Sequence, residues 1–317
     1  MDGHFDVLTM GRVGVDLYPL QDNVGLEDVD TFSKTVGGSA GNVAIAAAKH
    51  GRRTALISRT GPDAFGRFVH MALREMGVDD RYITDVPDLL TPVTFCEMYP
   101  PDYFPLLFYR LPIAPDLVIR AEELDLAAIE NAGIFWTTVT GLSAEPSRSA
   151  HHAAWEACAR RPLTVLDLDY RPMFWGDPAS ASREVADALR QVTVAIGNRD
   201  ECEVAVGETE PMRAAQALLT AGVELAIVKQ GPKGVLGMTH DAVVEVPPTP
   251  ITVINGLGAG DSFGGAVCHG LLSGWDLETV LRFGNAAGAI VASRRECSTA
   301  MPTTDEVRAL LQEVERV

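Results

Sequence analysis

The stretch Gly258–Asp261 combines residues that could hold an anion with one that could act as a base. It lies between the apolar run 251–254 and a helical pattern that begins at Phe263, so we predict a strand, a glycine turn and a helix. Small side chains let a ligand approach backbone N–H groups, which sit unpaired at the positive end of the helix dipole. This arrangement suits phosphoryl transfer with Asp261 as a local base, although an ordinary turn with Asp261 as a capping residue fits the same letters.

The first glycine turn in chain order is Val36–Asn42, with Gly258–Asp261 as the second, and it leads into an alanine-rich helix that ends before Gly51. Small residues allow this helix to pack closely and bring the backbone of the turn near a ligand. Asn42 is polar within an apolar pattern and could hydrogen-bond to hydroxyl groups. The alternative is that Asn42 only starts the helix.

From Ile134 onward, predicted strands and helices alternate, which is typical of a parallel sheet covered by helices on both faces. We therefore predict a doubly wound, mostly parallel α/β fold, in which ligands lie beyond the carboxyl ends of the strands. Polar and charged segments follow three predicted strands at 169–172, 198–201 and 229–234. The pattern brings these segments to one edge of the sheet.

Asn198 and Glu201 are three residues apart at a predicted helix start and so share a face. Such a pair suits Mg²⁺, which keeps several of its waters, and the phosphates that accompany it. The same pair could equally cap the helix. Two other nucleotide sites are not expected, because the sequence has no G-x-x-x-x-G-K-[ST] loop and Gly11–Asp16 lacks the third glycine of a dinucleotide turn.

Two extended segments, Leu17–Lys34 and Pro92–Arg110, interrupt the α/β pattern. We expect them to pair into a small sheet that acts as a lid. The predicted division of the chain is a β lid at 12–35 and 92–111, and an α/β domain at 1–11, 36–91 and 112–317.

The composition limits the possible partners. A net charge of −17 in 317 residues argues against nucleic acid or an anionic membrane, since both need a basic surface. The five cysteines never show C-x-x-C spacing, so reduced thiols are expected rather than disulfides or a zinc site. The sequence shows neither a signal-peptide pattern nor an apolar run near the about 18 residues of a membrane span, so we expect a cytoplasmic protein.

With these motifs in this order, the chain resembles the ribokinase-like (PfkB) carbohydrate kinases over essentially its whole length. The matching segments are Gly37–Asn42, Asn198–Glu201, Lys229–Gly231 and Gly258–Phe263. The resemblance implies ATP and Mg²⁺ as cofactors and a sugar substrate.

The resemblance also implies roles for individual residues. Asp261 would be the base, and the N–H groups of Gly258, Ala259 and Gly260 would hold the developing charge. Sugar contacts are implied for Asp16, Gly37, Gly38 and Asn42. Nucleotide contacts are implied for Asn198, Lys229, Gly231, Gly234, Gly258, Gly260 and Asn285. Glu201, with Asn198, would act on the metal mostly through water.

Within that family, the segments 31–34, 167–175 and 298–303 are similar to the sugar-acid kinases of bacterial inositol catabolism. The resemblance implies phosphorylation of the terminal primary hydroxyl of 5-dehydro-2-deoxy-D-gluconate. The alternative is 2-keto-3-deoxygluconate, because the segment 108–110 is similar to the lid of that kinase.

A sugar acid needs a cation to bind its carboxylate. A guanidinium can do so through two hydrogen bonds, so we expect Arg110 from the lid and Arg171 from the strand edge to meet the acid. For Arg171, a structural salt bridge with Asp167 or Asp169 is the alternative.

One departure from the family concerns the monovalent cation. The chain has Asn255-Gly256 where the family usually has Asp-Thr, which removes a charge and makes potassium activation doubtful. Two further hypotheses are a homodimer formed through the lid and a non-catalytic sugar-acid sensor of the same fold. The sensor is disfavoured because the base, the anion turn and the metal motif are all present.

Overall fold

The computed structural model describes residues 4–161 and 163–316. The strands are β1 Val7–Met10, β2 Gly14–Pro19, β3 Phe32–Gly37, β4 Thr54–Thr60, β5 Val78–Asp79, β6 Ile83–Asp85, β7 Val93–Cys96, β8 Leu106–Tyr109, β9 Ile134–Thr138, β10 Leu163–Asp167, β11 Val194–Asn198, β12 Leu225–Lys229, β13 Val235–Thr239 and β14 Val243–Val246. The helices are α1 Ser39–Lys49, α2 Ala64–Glu75, α3 Leu126–Glu130, α4 Ser147–Cys158, α5 Pro178–Leu189, α6 Arg199–Val206, α7 Pro211–Ala221, α8 Ala259–Leu272, α9 Leu277–Ala292 and α10 Thr304–Val314.

The main sheet has the order β14-β13-β12-β11-β10-β9-β1-β4-β5, with β6 paired to β4. The pairs from β12 through β4 are parallel, and at one edge β13 runs antiparallel to both β12 and β14. The predicted doubly wound, mostly parallel fold is therefore confirmed.

Alternate residues of the central strands pack against two different layers of helices. Leu8 and Phe135 join Trp155 of α4 in one hydrophobic cluster, whereas Val7 and Trp136 join Phe263 of α8 in another. Successive side chains of a strand point to opposite faces, so a sheet with helices on both sides buries both sets of side chains. The central strands are therefore mostly apolar along their length and do not alternate apolar with exposed polar residues.

The two extended segments form a separate four-stranded sheet in the order β3-β2-β7-β8. Strands β2 and β3 are antiparallel, β2 and β7 are parallel, and β7 and β8 are antiparallel. The first and second segments thus join through β2 and β7, as predicted from the sequence. The last residues of β3 lead directly into α1, which ties this small sheet to the first glycine turn.

The predicted strand at 251–254 is wrong. This segment has no strand structure, and the N–H groups of Ile254 and Asn255 instead donate to the carbonyl of Ala292 at the end of α9, at 2.8 and 3.1 Å. Prolines at 247, 248 and 250 precede it, and because proline has no N–H it cannot donate to a sheet. The second glycine turn, 258–261, therefore follows a segment that is hydrogen-bonded to the end of helix α9 and not to a strand.

The hairpin β13–β14 was not predicted, and two helices, α6 and α7, lie between β11 and β12, where the predicted alternation of strands and helices implies one. Gly207, in the left-handed region at φ 75°, ends α6. The cysteines are free and buried. None of the helices in the described ranges has the length and apolar character that a membrane span needs.

Candidate active site

The glycine turn opens helix α8. Gly258 is the residue before the helix and has φ 79°, in the left-handed region that favours glycine. A Cβ added there would collide with Cys297 Sγ, so the turn also needs glycine for space. The helix start has no side-chain cap, which leaves the first N–H groups of α8 available to an anion.

Asp261 lies inside the first turn of α8 and does not cap it. Its carboxylate accepts hydrogen bonds from Ser39 Oγ at 2.9 Å and from Asn42 Nδ2 at 2.8 Å. Burial raises the pKa of Asp261 to about 6, although the bonds from Asn42 and Ser39 oppose the rise. Asp261 is thus a stronger base than an exposed aspartate and is still ionised near neutral pH.

Asn42 is the fourth residue of α1, whose capping position is occupied by Gly38 at φ 93°. The helix-starting interpretation of Asn42 is therefore not the observed one. Its side chain links the first glycine turn to the second through Asp261. Ser39, which the sequence analysis did not single out, makes the same link and also lies 3.3 Å from Asp167 Oδ2.

A small cavity of about 70 Å³ lies between the two glycine turns and the small sheet. Its lining includes the predicted residues Asp16, Gly38, Asn42, Arg171, Gly258 and Asp261. The small sheet supplies the other side of the cavity through Leu106 and Phe108.

Gly37 supports Asp16 rather than lining this cavity, because a Cβ on Gly37 would collide with the Asp16 carboxylate. Burial raises the pKa of Asp16 to about 7, with Arg12 and Thr94 opposing the rise. At neutral pH, Asp16 can therefore both donate and accept hydrogen bonds, which suits the hydroxyl groups of a sugar.

Two guanidinium groups share one carboxylate at the wall of the small cavity. Arg171 Nη2 lies 2.9 Å from Asp169 Oδ1, and Arg12 Nη2 lies 2.7 Å from Asp169 Oδ2. Burial alone would raise the pKa of Asp169, but Arg171 and Arg12 outweigh it and lower the value to about 2. The salt-bridge alternative for Arg171 is thus present, while Arg171 still lines the cavity.

Arg12 was missed by the sequence analysis. Arg12 lies just after β1, and functional side chains commonly follow the strands of such a sheet, so its position was a signal for its role. Arg110, in contrast, is not part of the cavity lining. Its Nη2 bonds both Asp116 oxygens, at 3.0 and 2.9 Å, and its guanidinium carbon lies 4.8 Å from the centre of the Phe174 ring.

A larger cavity of about 660 Å³ lies on the other side of the second glycine turn. Its lining includes the predicted residues Lys229, Gly231, Gly234, Ala259, Gly260 and Asn285. The turn between β7 and β8 reaches the same cavity through Pro101 and Asp102. Its volume falls within the about 300–1,000 Å³ of typical ligand sites.

Asn198 and Glu201 cap helix α6 reciprocally. Asn198 Oδ1 accepts from Glu201 N at 2.9 Å, and Asn198 N donates to Glu201 Oε2 at 2.7 Å. Glu201 also lies 4.0 Å from Lys229 Nζ and 3.7 Å from Arg171 Nη1. The capping alternative is present, and it holds the Glu201 carboxylate in a fixed, buried position beside Lys229.

Asp167 adds a further carboxylate to this group, 3.9 Å from Lys229 Nζ. Burial raises the pKa of Asp167 to about 6, with Lys229 opposing the rise. No cluster of three or more His, Cys, Asp or Glu side chains in the described ranges is arranged to hold a metal ion by itself.

Asn255 is fully buried. Its Nδ2 donates to the carbonyl of Arg295 at 2.7 Å, and its Oδ1 accepts from Leu257 N at 2.9 Å. The neutral amide thus braces the chain just before the second glycine turn.

Comparison with known proteins places this geometry in a family. The model of the pfkB family of carbohydrate kinases matches residues 5–304. The chain is 33% identical over 318 residues to the 5-dehydro-2-deoxygluconokinase of Listeria monocytogenes serotype 4b, covering 98% of this chain and 97% of that one. It is 36% identical over 312 residues to the protein of the same name from Photobacterium profundum, covering 96% and 94%.

Solved structures agree on the fold. An E. coli protein described as ribokinase II, determined with ATP and Mg²⁺, superposes with a TM-score of 0.89 at 22% identity, covering 98% of this chain and 99% of that one. From the family match over nearly the whole chain and the similarity to two sugar-acid kinases, we conclude that the chain belongs to the pfkB family of carbohydrate kinases.

Proposed function

We propose that the protein transfers the γ-phosphoryl group of ATP to the terminal primary hydroxyl of a sugar acid. The proposed substrate is 5-dehydro-2-deoxy-D-gluconate, which would give its 6-phosphate as in myo-inositol catabolism. The observation that supports this most is that the consecutive residues 258–261 line both cavities, Gly258 and Asp261 the small one and Ala259 and Gly260 the large one. A phosphoryl group of a nucleotide in the large cavity could therefore be transferred, across this turn, to a hydroxyl of a sugar acid in the small cavity.

In the proposed mechanism, Asp261 accepts the proton of the attacking hydroxyl. Ser39 and Asn42 orient its carboxylate, and the raised pKa fits a base that works near neutral pH. The N–H groups of Gly258, Ala259 and Gly260 would hold the charge that develops on the transferred group. Asp16, Gly37, Gly38 and Asn42 would position the sugar.

The large cavity is our candidate for the nucleotide site. Lys229, Gly231, Gly234, Gly260 and Asn285 line it, and Lys229 Nζ would lie 3.3 Å from a Cβ built on Gly260, which brings a cation to the anion turn. A lysine in this position suits phosphate oxygens. Asn198 is not in the cavity lining, so its proposed part is to hold Glu201.

Mg²⁺ would neutralise charge on the phosphates and keep most of its waters. The residues fit this role, because the buried carboxylates of Asp167 and Glu201 lie 3.9 and 4.0 Å from Nζ of Lys229, which lines the large cavity. Glu201 would bind the ion mainly through water, and Asn198 would hold the Glu201 carboxylate in place. For potassium, both ends of the Asn255 amide are engaged by backbone groups, which supports weak activation.

The sugar-acid substrate is supported by the names of the two relatives, both 5-dehydro-2-deoxygluconokinases, and by the guanidinium groups near the small cavity. Arg171 lines the cavity and is our proposed carboxylate ligand. Arg110 would have to exchange Asp116 for the substrate to take part. We further propose that 12–35 and 92–111 act as a lid, that a homodimer forms through it, and that the protein acts in the cytoplasm.

A substrate panel tests the proposed function. Ribose, fructose, 5-dehydro-2-deoxygluconate, 2-keto-3-deoxygluconate and adenosine are compared by ADP release with ATP and Mg²⁺. We expect 5-dehydro-2-deoxygluconate to give the highest kcat/KM. A tenfold or greater preference for a neutral sugar or a nucleoside would overturn the sugar-acid proposal, and a preference for 2-keto-3-deoxygluconate would change only the substrate.

A further inference from the structure

Arg12 lies where the chain leaves β1 for the small sheet, and it lines the small cavity. Its side chain is only 8% exposed, and Nη2 donates to Asp169 Oδ2 at 2.7 Å. The backbone is fixed as well, because the Arg12 carbonyl accepts from Gly41 N of α1 at 3.3 Å. A cation is thus held rigidly at the wall of the cavity.

The hydrogen-bonding capacity of Arg12 is not used up. A guanidinium has five N–H donors, and in this structure Arg12 Nε is buried without an acceptor. A buried donor without a partner is costly, so an acceptor that arrives with the substrate would be favoured.

The charges point the same way. Arg171 and Arg12 share Asp169, but Arg171 also lies 3.7 Å from Glu201, which helps to neutralise it. Arg110 is already paired with both oxygens of Asp116. Arg12 hydrogen-bonds one oxygen of the shared Asp169 carboxylate, and its other acidic neighbour, Asp16, has a pKa raised by burial to about 7 and so carries only part of a negative charge at neutral pH. A carboxylate on the substrate would complete the pairing.

We propose that Arg12 is a further specificity-determining residue that binds the substrate carboxylate beside Arg171, with Asp169 as the positioning residue that holds the Arg12 side chain. The Phe174 ring, whose centre lies 5.7 Å from the Arg12 guanidinium carbon, packs against Phe108 of the small sheet, and these apolar rings would exclude water from this end of the cavity. The inference rests on the proposed sugar-acid specificity and deepens it. Low water content strengthens hydrogen bonds between charged groups.

The test compares an acid with its neutral counterpart. The kcat/KM for 5-dehydro-2-deoxygluconate is divided by that for its carboxamide, in the wild type and in Arg12→Gln and Arg12→Lys. We expect the ratio to fall about 10- to 100-fold in Arg12→Gln and less in Arg12→Lys, which keeps the charge.

Arg59→Lys is the matched control. Arg59 is also a buried arginine with a single carboxylate partner, Glu123 at 2.9 Å, and it does not line either cavity. The ratio of kcat/KM for the acid to kcat/KM for the carboxamide should be the same in Arg59→Lys as in the wild type. Asp169→Asn should raise KM for the acid more than for the carboxamide, a difference that a merely structural role would not produce.

The outcomes separate this inference from the proposed function. If the wild type prefers the acid and both Arg12 variants keep that preference, the inference fails and the sugar-acid specificity stands. If the wild type shows no preference for the acid, both fail. An equal loss on both substrates in Arg12→Lys would also overturn the inference. Should Arg12→Gln not fold, Arg12→Lys decides the question.

Discussion

Asp261 is the residue on which the proposed chemistry depends most directly. Replacing it with asparagine removes the proton acceptor but keeps a group that can stay near Ser39 and Asn42. We expect kcat of Asp261→Asn to fall by about 10² to 10⁴, as for other general bases, with KM for the sugar acid little changed. Steady-state kinetics with ADP release measures this, and a kcat near that of the wild type would remove Asp261 from the proposed mechanism.

The pH dependence follows from the same carboxylate. Because the pKa of Asp261 is raised to about 6 by burial, the base becomes protonated below that pH. We expect kcat/KM to be level above about pH 7 and to fall tenfold per unit well below pH 6. A profile that stays level to pH 5 would show that no group with such a pKa needs to be ionised.

Glu201 provides a test of the proposed metal role. Glu201→Gln keeps an oxygen that can accept from Asn198 N but loses the charge beside Lys229. We expect the Mg²⁺ concentration needed for half-maximal activity to rise severalfold, with a smaller change in sugar KM. An unchanged Mg²⁺ titration would contradict the proposed role, and KM for the sugar acid serves as the internal control.

At the scale of elements, the second glycine turn has two separate requirements. Gly258 has φ 79°, and a Cβ there would meet Cys297, whereas Gly207 has φ 75° with open space around it. Alanine at Gly207 should therefore cost only the backbone strain, about 1–2 kcal/mol, while Gly258→Ala should cost more and also displace the anion turn. Urea unfolding and kcat of the two variants give the comparison, and equal effects would contradict this account.

The sequence predicted the turns and the parallel strands because both depend on local patterns. Strand β9 begins at Ile134, where the predicted alternation of strands and helices begins, and Asn42 and Asp261, one from each glycine turn, are hydrogen-bonded to each other. The prediction of a strand at 251–254 was wrong because a short apolar run can be buried against a helix as well as paired in a sheet. The sequence also could not predict which side chains pair. Nothing near Arg110 in the sequence shows that its Nη2 would hydrogen-bond to both carboxylate oxygens of Asp116.

At the scale of the whole molecule, buried titratable groups affect stability in opposite directions. His151 is fully buried, and burial lowers its pKa to about 4. Its folded pKa is below the about 6.5 of an unfolded histidine, so its contribution is present above pH 6.5 and is lost as the pH falls towards 4. Asp16 and Asp261, whose pKa values are raised, favour the folded state as the pH falls through the same range.

Because these effects oppose each other, the contribution of His151 must be measured as the difference in unfolding free energy between a His151 variant and the wild type. We expect His151→Gln to be less stable than the wild type at pH 7.5, and the gap to narrow by about 2 kcal/mol at pH 5. Urea unfolding at both values measures the gap. His240→Gln, which alters an exposed histidine, is the control and should give no comparable change. A gap for His151→Gln that is independent of pH would contradict the assignment.

The small sheet walls both cavities, Leu106 and Phe108 at one and Pro101 and Asp102 at the other. Any rearrangement of this sheet that accompanies binding in one cavity must therefore alter the free energy of binding in the other. Thermodynamic linkage makes that effect reciprocal, so the factor by which a nucleotide changes the affinity for the sugar acid equals the factor by which the sugar acid changes the affinity for the nucleotide. The small sheet would thus make the binding free energies of the nucleotide and the sugar acid depend on each other. Such coupling would limit the hydrolysis of ATP when no sugar acid is bound.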